Sequence, residues 1–396
     1  MRANIYKCYL FNFLSGLSFM GAVIVPFFKD WGGLDFTKIF ILQSWFMFWA
    51  FVLEVPTGIV ADRYGRKVSI SLGAIAVAIG CLIYGAINNY YSFLFAEFLW
   101  ALGVVLISGA DQALLYDTLI ELKEEKRATK CLARYEAAGT IGIVLGLPAG
   151  SLIAGSKILP YPEILPITFF LSAIPNLFMF FVALTIKEPK RAKSKERFLK
   201  AGIDGLKYIF QNKTLRAFAL NAILVSAMTM FMFWFYQPLA GEAGVDIKFY
   251  GFIAAGFNLF ATILLLNVEK IKQYIKLRNV ILFTAVIPGL GYIVLAFSGN
   301  VIVVLLGILL VSGLRLFRRP ILRAFMNRHI QSENRATVLS GVTMMGTFVL
   351  FLFYPIVGAL ADKSLPLTLV ILGVITILFS IFARISAEHI AEGVEK

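Results

Sequence analysis

The chain has 396 residues, of which 59% are hydrophobic and only 15% charged, and its formal net charge is +14. A water-soluble domain could neither bury nor solubilise that balance, so a soluble fold is excluded. The apolar residues come in runs of about 20, the length a helix needs to cross roughly 30 Å of hydrocarbon, whereas an outer-membrane barrel would show shorter alternating segments.

In chain order these runs predict an all-α membrane protein with twelve transmembrane helices, at about residues 6–28, 39–61, 68–87, 92–116, 135–156, 165–186, 215–238, 249–268, 279–298, 301–319, 337–361 and 366–385. The first run is too long for a signal-peptide core and lacks a clear cleavage site, so it is expected to stay as the first helix. Twelve spans put both termini on one side. Lys29, Lys38, Lys157, Lys248 and Lys363 fall on one face of the membrane and every other Lys and Arg on the opposite face. By the positive-inside rule both termini are then cytoplasmic, in a multi-pass protein of the cell membrane. Basic residues beside span ends answer to orientation and lipid head groups, so the charge implies no nucleic-acid partner.

The longest polar stretch, Lys187 to Lys213, is basic at first and then carries Phe198, Leu199, Gly202, Ile203, Leu206, Ile209 and Phe210 at helical spacing. That pattern predicts a cytoplasmic linker with an interfacial helix over 187–213, between a six-helix bundle at 1–186 and another at 214–396. A weak repeat supports the division. Asn12 and Ser18 correspond to Asn221 and Ser226, Arg127-Ala128-Thr129 to Arg335-Ala336-Thr337, and Gly150 to Gly358, all at an offset of about 208 residues. Six helices separate the copies, so the halves share one orientation, a parallel repeat about the membrane normal.

Cys8, Cys81 and Cys131 have no metal-ligand spacing, and no metal, cofactor or disulfide framework is expected. No nucleophile-base set, HExxH or ATP-binding motif is present, which speaks against an enzyme and against a primary pump. The two histidines, His329 and His389, lie outside the spans, so proton coupling would use carboxylates.

The loop between the second and third helices reads Gly58-Ile-Val-Ala-Asp62-Arg63-Tyr-Gly65-Arg66-Lys67. It closely resembles the major facilitator superfamily signature of that loop, and the six-plus-six layout extends the resemblance over the whole chain. The resemblance implies a latch on the cytoplasmic side formed by Gly58, Asp62, Arg63, Gly65, Arg66 and Lys67, and Asp117 is counted with it. Gly58 and Gly65 are expected to allow close helix approach and a tight turn. Gly139, Gly142, Gly146, Pro148 and Gly150 resemble the glycine and proline motif of antiporter branches, except that Leu147 separates Gly146 from Pro148. Tight packing explains those glycines at least as well. Proton-coupled drug exporters carry an arginine and then a glycine four residues later on the fourth helix, whereas this chain has Glu97 and Ala101 there.

Ionisable residues inside spans are costly and need a partner, a watery cavity or a function. The candidates for solute binding or coupling are Glu54, Asp111, Gln112, Tyr116 and Arg315, with Asn12, Asn221 and Gln237 set among aromatic residues. Arg318, Arg319 and Arg323 are expected to snorkel to head groups. Ser108-Gly-Ala-Asp111 and Ser312-Gly-Leu-Arg315 are approximate counterparts of opposite charge, which predicts that Asp111 and Arg315 interact. The expected function is secondary active transport by alternating access, as an ion-coupled exporter or antiporter of drug-like, amphipathic compounds of the multidrug type. The expected partners are a small-molecule substrate, membrane lipids and protons or another coupling ion, with the chain working as a monomer. Uptake of a small anionic metabolite is the alternative, suggested by the arginines of the tenth helix. A polytopic enzyme or receptor is the remote one.

Overall fold

A backbone in hydrocarbon can satisfy its amides only within its own segment or a closed barrel, so the apolar runs form helices. The computed structural model describes residues 1–189, 198–330 and 335–382, and among these there is no strand. Among the described residues ten helices are long and apolar enough to cross a membrane: Phe36–Tyr64, Arg66–Ala86, Tyr90–Glu121, Glu125–Ala154, Leu165–Thr185, Thr214–Glu242, Ile247–Leu266, Arg278–Phe297, Val301–Asn327 and Thr337–Lys363. The bent pair Arg2–Ala22 and Ile24–Trp31 precedes them as an eleventh span, and the shorter apolar helix Leu365–Ile381 follows. Each sits on one of the predicted runs, numbered below first to twelfth. The predicted residues 383–385, the linker residues 190–197 and His389 lie outside the described part.

The ends differ in a consistent way. The fifth helix starts at Ala128 and the tenth runs to Arg328, several residues beyond the apolar runs. Lys130, Arg134, Arg319 and Arg323 end a hydropathy signal but not a helix, because Lys and Arg are good helix formers. The spans predicted as continuous are also interrupted. The first helix stops at Gly16, resumes as a tight turn at Met20–Ala22 and bends by 56°. The fourth breaks between Ile107 and Ala110, where Gly109 has φ +75°, a left-handed conformation that glycine adopts without steric cost.

By contacts the chain falls into two compact units, Met1–Glu196 with Asp246–Ala255, and Arg197–Val245 with Gly256–Lys396. In the first unit, Gly139, Gly142, Gly146 and Gly150 of the fifth helix form a groove for the first. A Cβ at Gly142 would lie 2.2 Å from the Phe13 carbonyl oxygen, and one at Gly150 1.9 Å from that of Phe19. Packing therefore requires these glycines, whatever else they do. Asp246–Ala255 belongs to this unit because Ser151 Oγ donates to the Lys248 carbonyl at 2.9 Å and Gly251 fits against the Leu147 carbonyl. One core gathers Phe11, Leu114, Leu115, Tyr135 and Met179, and stacked rings of Phe27, Tyr84, Phe93 and Phe169 fill another region.

The second unit has its core on Leu215, Phe218, Phe317, Ile321 and Leu322. The predicted linker helix is present as Phe198–Gln211 and docks on the eleventh span. There Gly205 lets the two backbones approach, since a Cβ would lie 2.0 Å from the Thr337 carbonyl oxygen. Ile203 and Phe210 stay exposed on its other side, as an interfacial helix requires.

Candidate functional site

The signature loop is a turn built on Gly65, whose φ of +111° is in the left-handed region. That turn aims the first amides of the third helix outward, and Glu188 closes them. Its two carboxylate oxygens accept from the backbone N–H groups of Arg66 and Lys67, each at 2.8 Å. A carboxylate at a helix N-terminus satisfies orphan donors and meets the positive end of the dipole. The Arg66 side chain turns to the fourth helix and pairs with Asp117 at 2.6 Å, with both side chains mostly buried. The Arg63 guanidinium lies over the Tyr64 ring at 5.5 Å. Glu188 was not singled out in the sequence, although one signal was there: an acid at the end of the sixth span, inside an otherwise basic stretch. Gly58 departs from its expected packing role, because a Cβ there would meet nothing within 4 Å.

Below the break in the fourth helix lies an acidic network. Gln112 N–H donates to Asp111 Oδ1 at 2.6 Å, the Tyr135 hydroxyl donates to Asp111 Oδ2, and Gln112 Nε2 donates to Glu136 at 2.8 Å. The first helix joins through Asn12 Nδ2, which donates to the Tyr135 carbonyl at 2.7 Å. Asn12, Asp111 and Gln112 are thus brought together, while Tyr116 is exposed one turn away. Glu97, at the position where exporters carry arginine, is buried and accepts from Gln43 Nε2 at 2.8 Å. Its neighbours are aromatic, which makes it a core pair of the second and fourth helices.

A cavity of about 310 Å³ opens inside the first unit at the two helix breaks. Ser15, Leu17 and Ser18 line it from the first break, Ser108 from the second, with Ser172 and Asn176 of the sixth helix and Val77, Trp100 and Val104 between them. Exposure grades from Ser15 and Ser108, which are open, to Ser172, which is buried. No ionisable side chain lines it. Interrupted helices supply polar backbone to such a place only where it borders a cavity. The apolar runs showed neither break.

In the second unit the arginines of the tenth helix separate. Arg318 is 2% exposed and does not snorkel, contrary to the expectation from its position near a span end. Its guanidinium donates to Asn221 Oδ1, to the Ile281 carbonyl and, at 2.8 Å, to Thr284 Oγ1, joining the seventh, ninth and tenth helices. Arg319 and Arg323 are exposed, as expected. Arg315 is half-buried, with its Nη1 3.3 Å from the Met230 sulfur and no carboxylate partner among the described residues. Asn221 thus serves Arg318 and is buried. Gln237 is fully buried and donates to the Tyr236 hydroxyl at 2.9 Å, so it too is a core residue and not the solute contact expected of it.

No group of three or more His, Cys, Asp or Glu side chains that could hold a metal occurs among the described residues. The sequence model described as Major Facilitator Superfamily matches residues 8–353. The chain is 22% identical over 405 residues to an uncharacterised MFS-type transporter, YxaM of Bacillus subtilis, covering 98% of both chains. It is 34% identical over 114 residues to Protein ZINC INDUCED FACILITATOR 1 of Arabidopsis thaliana, covering 28% of this chain and 21% of that one. Among solved structures, the nucleoside transporter NupG superposes with a TM-score of 0.81 at 14% identity, over 96% of this chain and 98% of the other. A bacterial homologue of the human lysosomal transporter Spinster gives 0.75 at 15% identity, over 99% and 97%.

Proposed function

The chain belongs to the major facilitator superfamily, and on that premise we propose that this multi-pass membrane transporter carries a small, amphipathic organic solute by alternating access, as an ion-coupled exporter. The observation that carries the choice of solute is the cavity at the two helix breaks. Its volume is at the lower end for organic ligands, and its lining mixes serine hydroxyls and an asparagine amide with Trp100 and aliphatic side chains. A lining without ionisable groups suits an apolar frame with a few neutral polar groups, because a full charge brought there would stay uncompensated. The halves 1–186 and 214–396 act as the two moving bundles, joined by the linker 187–213, in a monomer with both termini in the cytoplasm. Gly65, Arg66, Lys67 and Asp117, tied to Glu188, act as the latch whose release sets the rate of exchange between states.

The test is a thermal-shift screen of purified protein against neutral amphiphiles, nucleosides and organic anions. Nucleosides are included because one structural neighbour is named for them. A ligand at about 100 times its Kd raises stability by roughly 2.7 kcal/mol. Neutral amphiphiles should shift the wild type and lose the shift in Trp100→Ala. Transport of the same compound into inside-out but not right-side-out vesicles checks the direction. A specific observation favours one other solute class. Arg315 is a half-buried guanidinium that lies against a thioether and has no carboxylate partner among the described residues, and an anionic group on the solute would complete it. A screen in which only anions stabilise, and lose that effect in Arg315→Gln, establishes this second reading over the first.

A further inference from the structure

We propose that Glu54, in the middle of the second span, is the site of the coupling proton. The residue is half-buried, and its carboxylate has no hydrogen-bond or ionic partner among the described residues. A carboxylate held in a membrane span without a partner is a costly arrangement, and the ones that persist mark a function. The other acids inside the first unit differ on this point: Glu97 has Gln43, Asp111 has Tyr135, Glu136 has Gln112 and Asp117 has Arg66.

The second helix packs against the third and the fourth. On the segments that pack against it, Arg66–Ala86 and Tyr90–Ile107, the charged groups are Arg66, bound to Asp117, Lys67, whose amide is held by Glu188, and Glu97, bound to Gln43. On its own helix the nearest is Asp62, eight residues on and about 12 Å along the axis. None of these compensates Glu54. A metal cation is a poor occupant, because hard cations such as Ca²⁺ or Mg²⁺ take about six oxygens and one carboxylate supplies two. A proton needs only one.

The surroundings give the proton something to act on. Pro56 lacks the N–H that would bond the Val52 carbonyl, so the helix is weakened there. Thr57 Oγ1 bonds the carbonyls of Leu53 and Glu54, at 2.8 and 3.3 Å, within the same turn. Neutralising Glu54 lets this weak turn bury itself, and ionising it draws the turn towards water, so the protonation state biases the bend of the second helix. In the transport cycle one proton binds Glu54 from one side and leaves to the other. This rests on the reading of the protein as an ion-coupled transporter.

The test needs no substrate. Hydrogen exchange of the peptide covering residues 48–60 is followed in the purified full chain at acidic and alkaline pH, corrected for the intrinsic pH dependence of exchange. Wild-type protein should be protected several-fold more at acidic pH. Glu54→Gln, which imitates the protonated acid, should show the acidic level at both, and Glu54→Asp should keep the pH dependence. A pH effect that persists in Glu54→Gln, or is absent from wild type, overturns the proposal. The experiment is independent of solute: a protected, pH-switched second helix in a protein that binds none of the screened solutes would retire the solute reading and leave the proton site standing.

Discussion

The two units solve the same problem, a charged residue inside a span, in opposite ways. In the first, the internal charges are mostly acids, held by Tyr135, Gln112, Gln43 and Arg66. In the second they are arginines, and Arg318 is held by three neutral oxygens with no carboxylate. Of the acids described in the second unit, Glu242, Glu269 and Asp362 sit at helix ends and Asp204 lies on the helix Phe198–Gln211, outside the spans. Two helical units of one chain can therefore differ in the sign of their buried charge. A guanidinium can be satisfied by amide, hydroxyl and carbonyl oxygens because it offers five donors in a fixed fork. A carboxylate needs donors, and within a span the backbone spends its own on the helix.

The sharpest break of this comparison is Arg318. Arg318→Met should cost about 3 kcal/mol or more, since Asn221, Thr284 and the Ile281 carbonyl lose a charged donor. Loss of monodisperse protein on size exclusion and a lowered unfolding midpoint check it. Arg318→Lys should fare little better, because one ammonium cannot reach all three. In the first unit, Asp111→Asn should cost only about 1 kcal/mol, as the amide oxygen still accepts from Tyr135.

Next in size is the glycine groove of the first unit. Gly142→Val should cost about 1 to 3 kcal/mol through overpacking against the Phe13 carbonyl, whereas Gly58→Ala should stay within about 0.5 kcal/mol. Equal losses at the two positions would remove the distinction between a packed and an open glycine. A smaller effect is expected of the latch. Asp117→Asn and Glu188→Gln should each cost about 1 kcal/mol of stability, and should slow turnover more than they weaken solute binding.

The smallest effect belongs to a loop outside the spans. The Lys248 N–H, bonded to Asp246 Oδ1, holds that carboxyl below the usual carboxylate range. A lowered folded-state value means stability that is present above the unfolded value and lost as pH falls through the folded one. Asp246→Asn should therefore remove a slight acid sensitivity from the unfolding midpoint and nothing else.

The positions of the spans were legible because each is an apolar run of about 20 residues with few charges, and bilayer thickness leaves one solution for such a run. The signature loop was legible too, since a turn between two spans declares itself in glycine and basic residues. Glu188 was not, because it closes that loop from the far end of the sixth span, and no local pattern connects residues 122 positions apart. The helix breaks at Ser18 and Ser108 were hidden for a different reason. A serine or glycine in an apolar run is also what tight helix packing uses, so composition alone could not separate an interruption from a contact.

By itself the sequence determined the positions and order of the apolar helices and the family, which follow from hydrocarbon thickness and one loop motif. Which polar residues face a cavity and which are core was decided only by tertiary structure. Asn12 and Asn221 occupy matching places in the repeat, yet one donates to a carbonyl beside the acidic network and the other accepts from a buried arginine. Helical periodicity gives a residue's angle on its own helix. What that angle points at depends on how neighbouring helices are rotated and bent, and side-chain packing sets those.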